Sequence, residues 1–197
     1  EWTPATLSEF DGVRFLHLDS IWVQGAMRIR KPDQLELEYI QRMCAWMLWR
    51  DSERLADGHA VQLGLGAAAL TRFCHGQLKM RTTAVEINPE VIAACRQWFR
   101  LLGNDARLTV VTADAAAWVT DDAHLQTVDV LNVDLYDHEA AAPVLDSEAF
   151  YADCRRLLTE EGCMTVNLFG RSSQYEQSLG KIVAAFGEGA RALSGVL

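Results

Sequence analysis

Four acidic residues and a pair of glycines stand in this sequence where side chains could do chemistry. Two of the acids, Asp134 and Asp137, are three residues apart and follow an apolar run. Carboxylates at this spacing could hold a primary amine and accept its proton. Only the neutral amine is nucleophilic, and its pKa of about 10 calls for such a base near neutral pH. The pair could equally cap and solvate a loop, and the residue types alone leave both interpretations open.

The glycine pair, Gly64 and Gly66, ends an earlier apolar run and precedes a helical pattern that starts with three alanines. Glycine permits a tight turn and lets a ligand approach the N-terminus of the next helix. Glu86 follows Gly66 by 20 residues, within the stretch AVEINP. A carboxylate there can accept hydrogen bonds from both hydroxyls of a ribose. The glycine pair alone is a weak signal, because such a pair often only forms a turn, but together with Glu86 it favours a nucleoside site.

The fourth acid, Asp114, closes another apolar run, VVTAD. A carboxylate at this position can accept a hydrogen bond from the 6-amino group of adenine. Asp is also an excellent N-cap for the helical pattern that follows. The two roles compete, and the sequence does not choose between them.

The stretches that carry these residues alternate between short apolar runs and helical patterns. Strands are predicted at residues 60–66, 82–87, 108–114, 128–136 and 163–169, with helices between them, the last two near 147–158 and 173–186. Runs that are apolar on both faces indicate a parallel sheet covered by helices, and right-handed crossovers make it doubly wound. The predicted fold class is therefore α/β and Rossmann-like. In such sheets ligands bind beyond the carboxyl ends of the strands, where the strand order reverses.

The N-terminal part has a different pattern. Residues 13–30 alternate between apolar and polar, which predicts a β-hairpin. Asp33 is then expected to cap a helix, with Glu36 completing a capping box, and this helix is predicted to run from Leu35 to Leu55. We therefore expect a hairpin region at 1–32 and a nucleoside-binding domain at 33–197. A sixth strand is predicted near 190–193, and the final strand of the sheet is expected to be missing.

Composition narrows the class of protein. A formal charge of −9 argues against binding to nucleic acid, whose phosphates would be repelled. No apolar run approaches the roughly 20 residues that span a bilayer, and no secretory signal is visible. Five scattered cysteines without a C-x-x-C pair indicate reduced thiols rather than disulfides or a zinc site. We expect a cytoplasmic protein that binds neither nucleic acid, membrane nor metal.

Taken together, these stretches resemble the spermidine synthase family of aminopropyltransferases. The matching pieces are VEINPEVI at 85–92, the Asp-x-x-Asp of 134–137, and SEAFY at 147–151 followed by LLTEEG at 157–162. The N-terminal hairpin with Gln24, and the helix after it, resemble the small N-terminal β-domain of the family. The order and spacing of these pieces carry the resemblance, which implies a sheet of the S-adenosylmethionine-dependent methyltransferase type.

The resemblance also implies roles for the candidate residues. Decarboxylated S-adenosylmethionine would be the co-substrate, bound beside Gly64 and Gly66 with its ribose on Glu86 and its adenine on Asp114. A polyamine or another small amine would be the partner substrate. Asp137 would be the general base and Asp134 would anchor the amine, while Gln24 and Tyr136 would shape its pocket. The amine would displace methylthioadenosine directly, without a metal. A homodimer is expected.

Two features depart from the family pattern. The family carries an Asp within a Gly-Gly-Asp-Gly-Gly run, and Ala67 stands at the corresponding position here. The loop after Asp137 reads HEAAAP at 138–143 instead of a loop with Pro and Gly. The first change removes a charge partner for the free amine of the donor. Two alternatives therefore stay open: a methyltransferase that uses intact S-adenosylmethionine, and a non-catalytic domain that binds a nucleoside or polyamine.

Overall fold

The computed structural model describes residues 2–19, 21–135, 143–168 and 172–187, which form two sheets with flanking helices. The first sheet is antiparallel, in the order β1-β2-β3, and consists of Ala5–Phe10, Val13–Leu18 and Gly25–Arg28. The predicted hairpin is confirmed as β2 and β3. β1 was not predicted, although Asp11-Gly12 is a strong hairpin-turn signal. Both turn residues have positive φ, 48° and 73°.

The long helix predicted from Leu35 to Leu55 is wrong in extent. The structure has a short helix, α1 (Glu38–Met43), and then two 3₁₀ turns at Cys44–Trp49 and Ser52–Asp57. The break at Arg50, whose backbone is extended, has a tertiary cause. The Arg50 guanidinium donates to the carbonyl oxygens of Asp129 and Glu161, at 3.4 and 3.0 Å. These hydrogen bonds hold Arg50 in an extended conformation, although the spacing of apolar residues favours a continuous helix.

The predicted capping box is also wrong. The residue that precedes α1 is Leu37, and no side chain caps this helix. Glu36 instead pairs with Arg28 of β3, at 2.6 Å. Because a guanidinium engages its carboxylate, Glu36 ties the segment before α1 to the antiparallel sheet and does not close a helix turn.

The second sheet confirms the α/β prediction. Its five strands are all parallel, in the order β6-β5-β4-β7-β8. They are β4 (His59–Leu63), β5 (Arg81–Glu86), β6 (Leu108–Thr112), β7 (Val128–Val133) and β8 (Leu158–Val166). The chain builds outward from β4 on one side and then returns to add β7 on the other. The strand order therefore reverses at β4, which is where such sheets bind ligands.

In the described part of the chain, five helices accompany the parallel strands: α2 (Ala69–Arg72, extended by a π-helical turn at Phe73–Gln77), α3 (Pro89–Trp98), α4 (Ala115–Trp118), α5 (Glu148–Leu157) and α6 (Ser172–Phe186). β8 begins five residues earlier than predicted, directly after α5. Its first half, Thr159–Gly162, is a polar stretch on an edge strand, where alternation of apolar residues is not required. The strand predicted near 190–193 lies outside the described residues.

The antiparallel sheet shares a hydrophobic core with the parallel one. Leu16 of β2 and Met27 of β3 are buried in one cluster with Val91 and Cys95 of α3. This cluster also contains Ala67 from the loop after β4. The packing therefore places the start of β3 against the point where the strand order reverses. Within the described part of the chain, no helix is long and apolar enough to cross a membrane.

Candidate active site

The parallel register brings the predicted acids to one edge of the sheet. Glu86 ends β5, Asp114 follows β6 by two residues, and Asp134 directly follows β7. The backbone ladder continues past the strands, because Asp134 N–H donates to the Leu63 carbonyl at 2.9 Å. The loop that begins with Gly64 lies between Glu86 and Asp134.

This glycine loop, residues 64–68, needs its first glycine. Gly64 has a φ of 88°, a conformation that side chains disfavour. A Cβ atom at this position would also collide with the carbonyl oxygen of Asp134. Gly66 and Ala68 also have positive φ, 50° and 59°. The loop therefore turns sharply against the end of β7 before α2 begins.

The inner side of the glycine loop is fastened by two buried side chains. The Cys95 thiol donates to the Gly66 carbonyl at 3.1 Å. Arg72 Nη1 donates to the carbonyls of Ala67 and Phe99, at 2.5 and 2.8 Å, and Arg72 Nε donates to Pro32 at 3.1 Å. Arg72 is 7% exposed, and its burial lowers its pKa to about 10. These bonds fix two successive peptide groups of the loop.

The start of β3 covers the same loop from the other side. The carbonyl oxygen of Gln24 lies 3.0 Å from where a Cβ of Gly66 would be. A Cβ on Gly25 would meet the backbone and the Cβ of Ala67. The backbone of Gln24 therefore lies against the glycine loop. The role of the Gln24 side chain in an amine pocket stays a prediction.

Glu86 is half-buried and is held by backbone donors. Its Oε2 accepts from Leu65 N–H at 3.0 Å and its Oε1 from Asn88 N–H at 2.9 Å. Burial raises its pKa, and the hydrogen bonds from Asn88, Leu65 and Ile87 oppose that rise. Each carboxylate oxygen has a second lone pair. The side chain can therefore still accept hydrogen bonds from two ribose hydroxyls.

Asp114 is the N-cap of α4. Its Oδ1 accepts from Ala116 N–H at 2.8 Å, and the residue is exposed. The capping role is thus confirmed. Adenine recognition stays a prediction, and Oδ2, which has no hydrogen bond within the described residues, is the atom that would serve it.

Asp134 is held by side chains from two other elements. Tyr39 of α1 donates its hydroxyl to Asp134 Oδ2 at 3.2 Å, and Asn167, just after β8, donates its amide to Oδ1 at 3.0 Å. Burial raises the pKa of Asp134, and these two donors oppose that rise. Burial also raises the pKa of Tyr39, and the charge of Asp134 adds to this effect. Sequence reasoning missed both partners.

Tyr136, Asp137 and residues 138–142 lie outside the described residues. The roles predicted for Tyr136 and Asp137 therefore stay predictions. Among the described residues, no group of three or more His, Cys, Asp or Glu side chains could hold a metal ion. All five cysteines are free thiols.

Comparison with known proteins assigns the family. Residues 69–184 match the spermine/spermidine synthase domain. The chain is 33% identical to a polyamine aminopropyltransferase of Neisseria meningitidis over 181 residues, which are 91% of this chain and 67% of that protein. It is 31% identical to the polyamine aminopropyltransferase of Chromobacterium violaceum over the same shares of the two chains. The chain thus spans about two thirds of the length of these relatives.

Solved structures agree on the fold. One is named a "probable spermidine synthase" from Corynebacterium glutamicum; it is 18% identical, with a TM-score of 0.75 over 91% of this chain and 65% of that one. Human methyltransferase-like protein 13, solved with SAH, is 26% identical, with a TM-score of 0.68 over 76% of this chain and 73% of that one. The Rossmann-like methyltransferase fold is common to all three. The sequence relatives and the matched domain decide the family, and the chain belongs to the spermine/spermidine synthases.

Proposed function

We propose that this chain is an aminopropyltransferase, which moves an aminopropyl group from decarboxylated S-adenosylmethionine to an amine. The observation that carries the proposal is the convergence of Glu86 and Asp134 on one glycine loop. Leu65 N–H of that loop binds the Glu86 carboxylate, and Gly64 lies against the Asp134 backbone. A nucleoside-binding acid and an amine-binding acid thus lie on the two sides of one turn. The family membership supports the same assignment.

The donor half of the site is built on β4, β5 and β6. Glu86 accepts the ribose hydroxyls, and Asp114 Oδ2 accepts from the 6-amino group of adenine. Gly64 and Gly66 let the loop turn tightly beside the donor, because a side chain at either position would meet the backbone of Asp134 or Gln24. The ribose assignment uses the lone pairs that the backbone donors leave on Glu86.

The acceptor half is built after β7. Asp134 attracts the ammonium form of the amine, and Asp137 removes its proton. The nitrogen lone pair then attacks the carbon beside the sulfonium, the carbon–sulfur bond breaks, and its electrons remain on sulfur. The products are the longer amine and neutral methylthioadenosine. Gln24 and Tyr136 shape the amine pocket, and no step involves a metal.

Position 67 is the point where the donor contacts of this chain differ from the family pattern. Ala67 is 2% exposed and lies against Gly25, so a carboxylate would not fit there without displacing β3. The free amine of the donor must then find its charge partner at another position of the site. We further propose that the protein works in the cytoplasm as a homodimer, which light scattering of the purified chain will check.

The test is titration calorimetry of the purified chain with decarboxylated S-adenosylmethionine, intact S-adenosylmethionine and methylthioadenosine. Glu86→Ala should abolish the binding, whereas Glu90→Ala, an exposed acid on α3, should leave it unchanged. Chromatography of reactions with a panel of diamines and polyamines then identifies the nucleoside that is released. Release of methylthioadenosine supports the proposal. Release of S-adenosylhomocysteine from the intact donor would replace it with methyl transfer, and binding without any product would leave a binding domain.

A further inference from the structure

The carboxylate of Asp134 accepts two side-chain hydrogen bonds whose function the proposed mechanism does not explain. Its two oxygens accept from two different side chains, Tyr39 Oη at 3.2 Å and Asn167 Nδ2 at 3.0 Å. One donor comes from α1, in the N-terminal part of the chain, and the other follows β8. Within the described residues no charged side chain pairs with Asp134, so this carboxylate is held by neutral donors alone.

Sheet register delivers the second donor. Asn167 N–H donates to the Val133 carbonyl at 2.9 Å, which continues the β7–β8 ladder past both strands. Two residues earlier in each strand, Thr165 donates to Asn132 at 2.7 Å. Since residues two apart in a strand share a face, the Asn167–Asp134 pair lies on the same face of the sheet as the half-buried Thr165–Asn132 pair. The register of the sheet thus places the Asn167 side chain next to the Asp134 carboxylate.

We propose that Tyr39 and Asn167 are positioning residues that keep Asp134 oriented as a carboxylate, so that the site selects a cationic amine. This inference rests on the proposed function, in which Asp134 anchors the amine. A buried acid without donors would hold its proton and offer an amine no charge. Neutral donors favour the anion without neutralising it, whereas an Arg or Lys at either place would compete with the amine.

The carboxylate also has room for its ligand. A carboxylate accepts about four hydrogen bonds, and two are used by Tyr39 and Asn167. The remaining lone pairs can take N–H donors of an ammonium. Within the described residues, the hydrogen bond that the Tyr39 hydroxyl donates goes to Asp134.

The test measures the titration of Asp134 directly. ¹³C NMR of the aspartate carboxyl groups follows each pKa, and the signal missing from Asp134→Asn identifies Asp134. Tyr39→Phe and Asn167→Ala should each raise its pKa by about one unit, since each removes a donor to a charged group. Asn167→Asp should raise it further, because two carboxylates would then be adjacent. The acid limb of kcat/KM for the amine should move by the same amount.

The matched control is Tyr151→Phe. Tyr151 donates to another carboxylate, Asp146, at 2.9 Å, so this variant also removes a Tyr–Asp hydrogen bond, on α5. It should leave the Asp134 titration and the acid limb unchanged. Methylthioadenosine affinity should be the same in all variants, which shows that the donor half is folded, and the amine KM should rise only in the Tyr39 and Asn167 variants.

Different results would overturn the positioning role of Tyr39 and Asn167 and the proposed aminopropyltransferase activity. An Asp134 titration that Tyr39→Phe and Asn167→Ala leave in place overturns this inference, even if the wild-type protein transfers aminopropyl groups. An equal shift in Tyr151→Phe overturns it as well. A wild-type protein that releases no methylthioadenosine overturns the proposed function, and the NMR titration then still shows whether the two side chains hold the carboxylate.

Discussion

Glu86 and Asp134 are both partly exposed acids at strand ends, and burial raises the pKa of each. They differ in what holds them. Glu86 accepts from backbone N–H groups of Leu65 and Asn88, whereas Asp134 accepts from the side chains of Tyr39 and Asn167. Backbone donors are set by the path of the chain, and side-chain donors by the choice of residue. The half of the site proposed for the nucleoside is therefore fixed by the fold, and the half proposed for the amine can be adjusted by substitution.

The glycine loop joins the two halves, so the largest effect should come from Gly64→Ala. Both the positive φ and the collision with Asp134 oppose the new methyl group. We expect the free energy of unfolding to fall by about 2 kcal/mol or more, and nucleoside binding to be lost. Urea unfolding and calorimetry measure the two effects.

Two other glycines separate the causes. Gly12 has a φ of 73° but no atom within 4 Å of a new Cβ, so Gly12→Ala should cost about 1–2 kcal/mol from backbone strain alone. Gly103 has neither feature, and Gly103→Ala should change stability by less than about 0.5 kcal/mol. A Gly64→Ala variant no weaker than Gly12→Ala would mean that the loop does not press on Asp134.

The comparison between the two acids is sharpened by Glu86→Gln and Asp134→Asn. The amide NH₂ that Glu86→Gln introduces would face a backbone N–H that cannot turn away, so the variant should lose about 1–3 kcal/mol of stability and at least about tenfold in methylthioadenosine affinity. The Tyr39 hydroxyl can rotate to accept from an amide. Asp134→Asn should therefore keep its stability to within about 1 kcal/mol and its nucleoside affinity, while the amine KM rises. Equal loss of nucleoside affinity in both variants would break the comparison.

The smallest expected effect is on the pH dependence of stability. Here Asp146 is compared with Asp134, because its pKa is shifted in the opposite direction. Burial raises the pKa of Asp146, but donors from Lys181, Ser178 and Tyr151 more than offset this, and its pKa is lowered. Asp146 therefore contributes stability above its unfolded pKa of about 3.9, and that stability is lost as pH falls through its folded pKa. The raised pKa of Asp134 has the opposite sign, because stability is lost as pH rises from about 4 through its folded pKa.

Urea midpoints measured across pH at constant ionic strength distinguish the two. Asp146→Asn should flatten the loss of stability below about pH 4, and Asp134→Asn should flatten the loss above it. If both variants flatten the same range, the two carboxylates do not differ in environment as the structure indicates.

The parallel sheet was predictable because β4 and β7 are almost wholly buried runs whose apolar residues show in the sequence. The acids at the strand ends were predictable because a strand end fixes where the next side chain lies. The extent of α1 was not, since the contact of Arg50 with β7 and β8 that breaks the helical pattern spans 79 and 111 residues.

The partners of Asp134 were hidden for the same reason. Tyr39 is 95 residues away from it, and Asn167 is 33 residues away. Periodicity reports which face of an element is buried, but it does not report which polar group a distant side chain will reach. Only the alternation within β8, which places Asn167 on the same face as Thr165, gives a partial signal.

Gln24 and Gly25 cover the glycine loop. This contact couples nucleoside binding at the proposed site to the docking of the antiparallel sheet on the loop. Since the loop contacts the start of β3 through Gly66 and Ala67, a nucleoside bound at the proposed site would favour the loop conformation against which the antiparallel sheet docks. By linkage, methylthioadenosine at about 100 times its dissociation constant stabilises the bound form by about 2.7 kcal/mol. Amide hydrogen exchange in β2 and β3 should slow accordingly, so a sheet that holds no predicted nucleoside contact of its own becomes a reporter of occupancy.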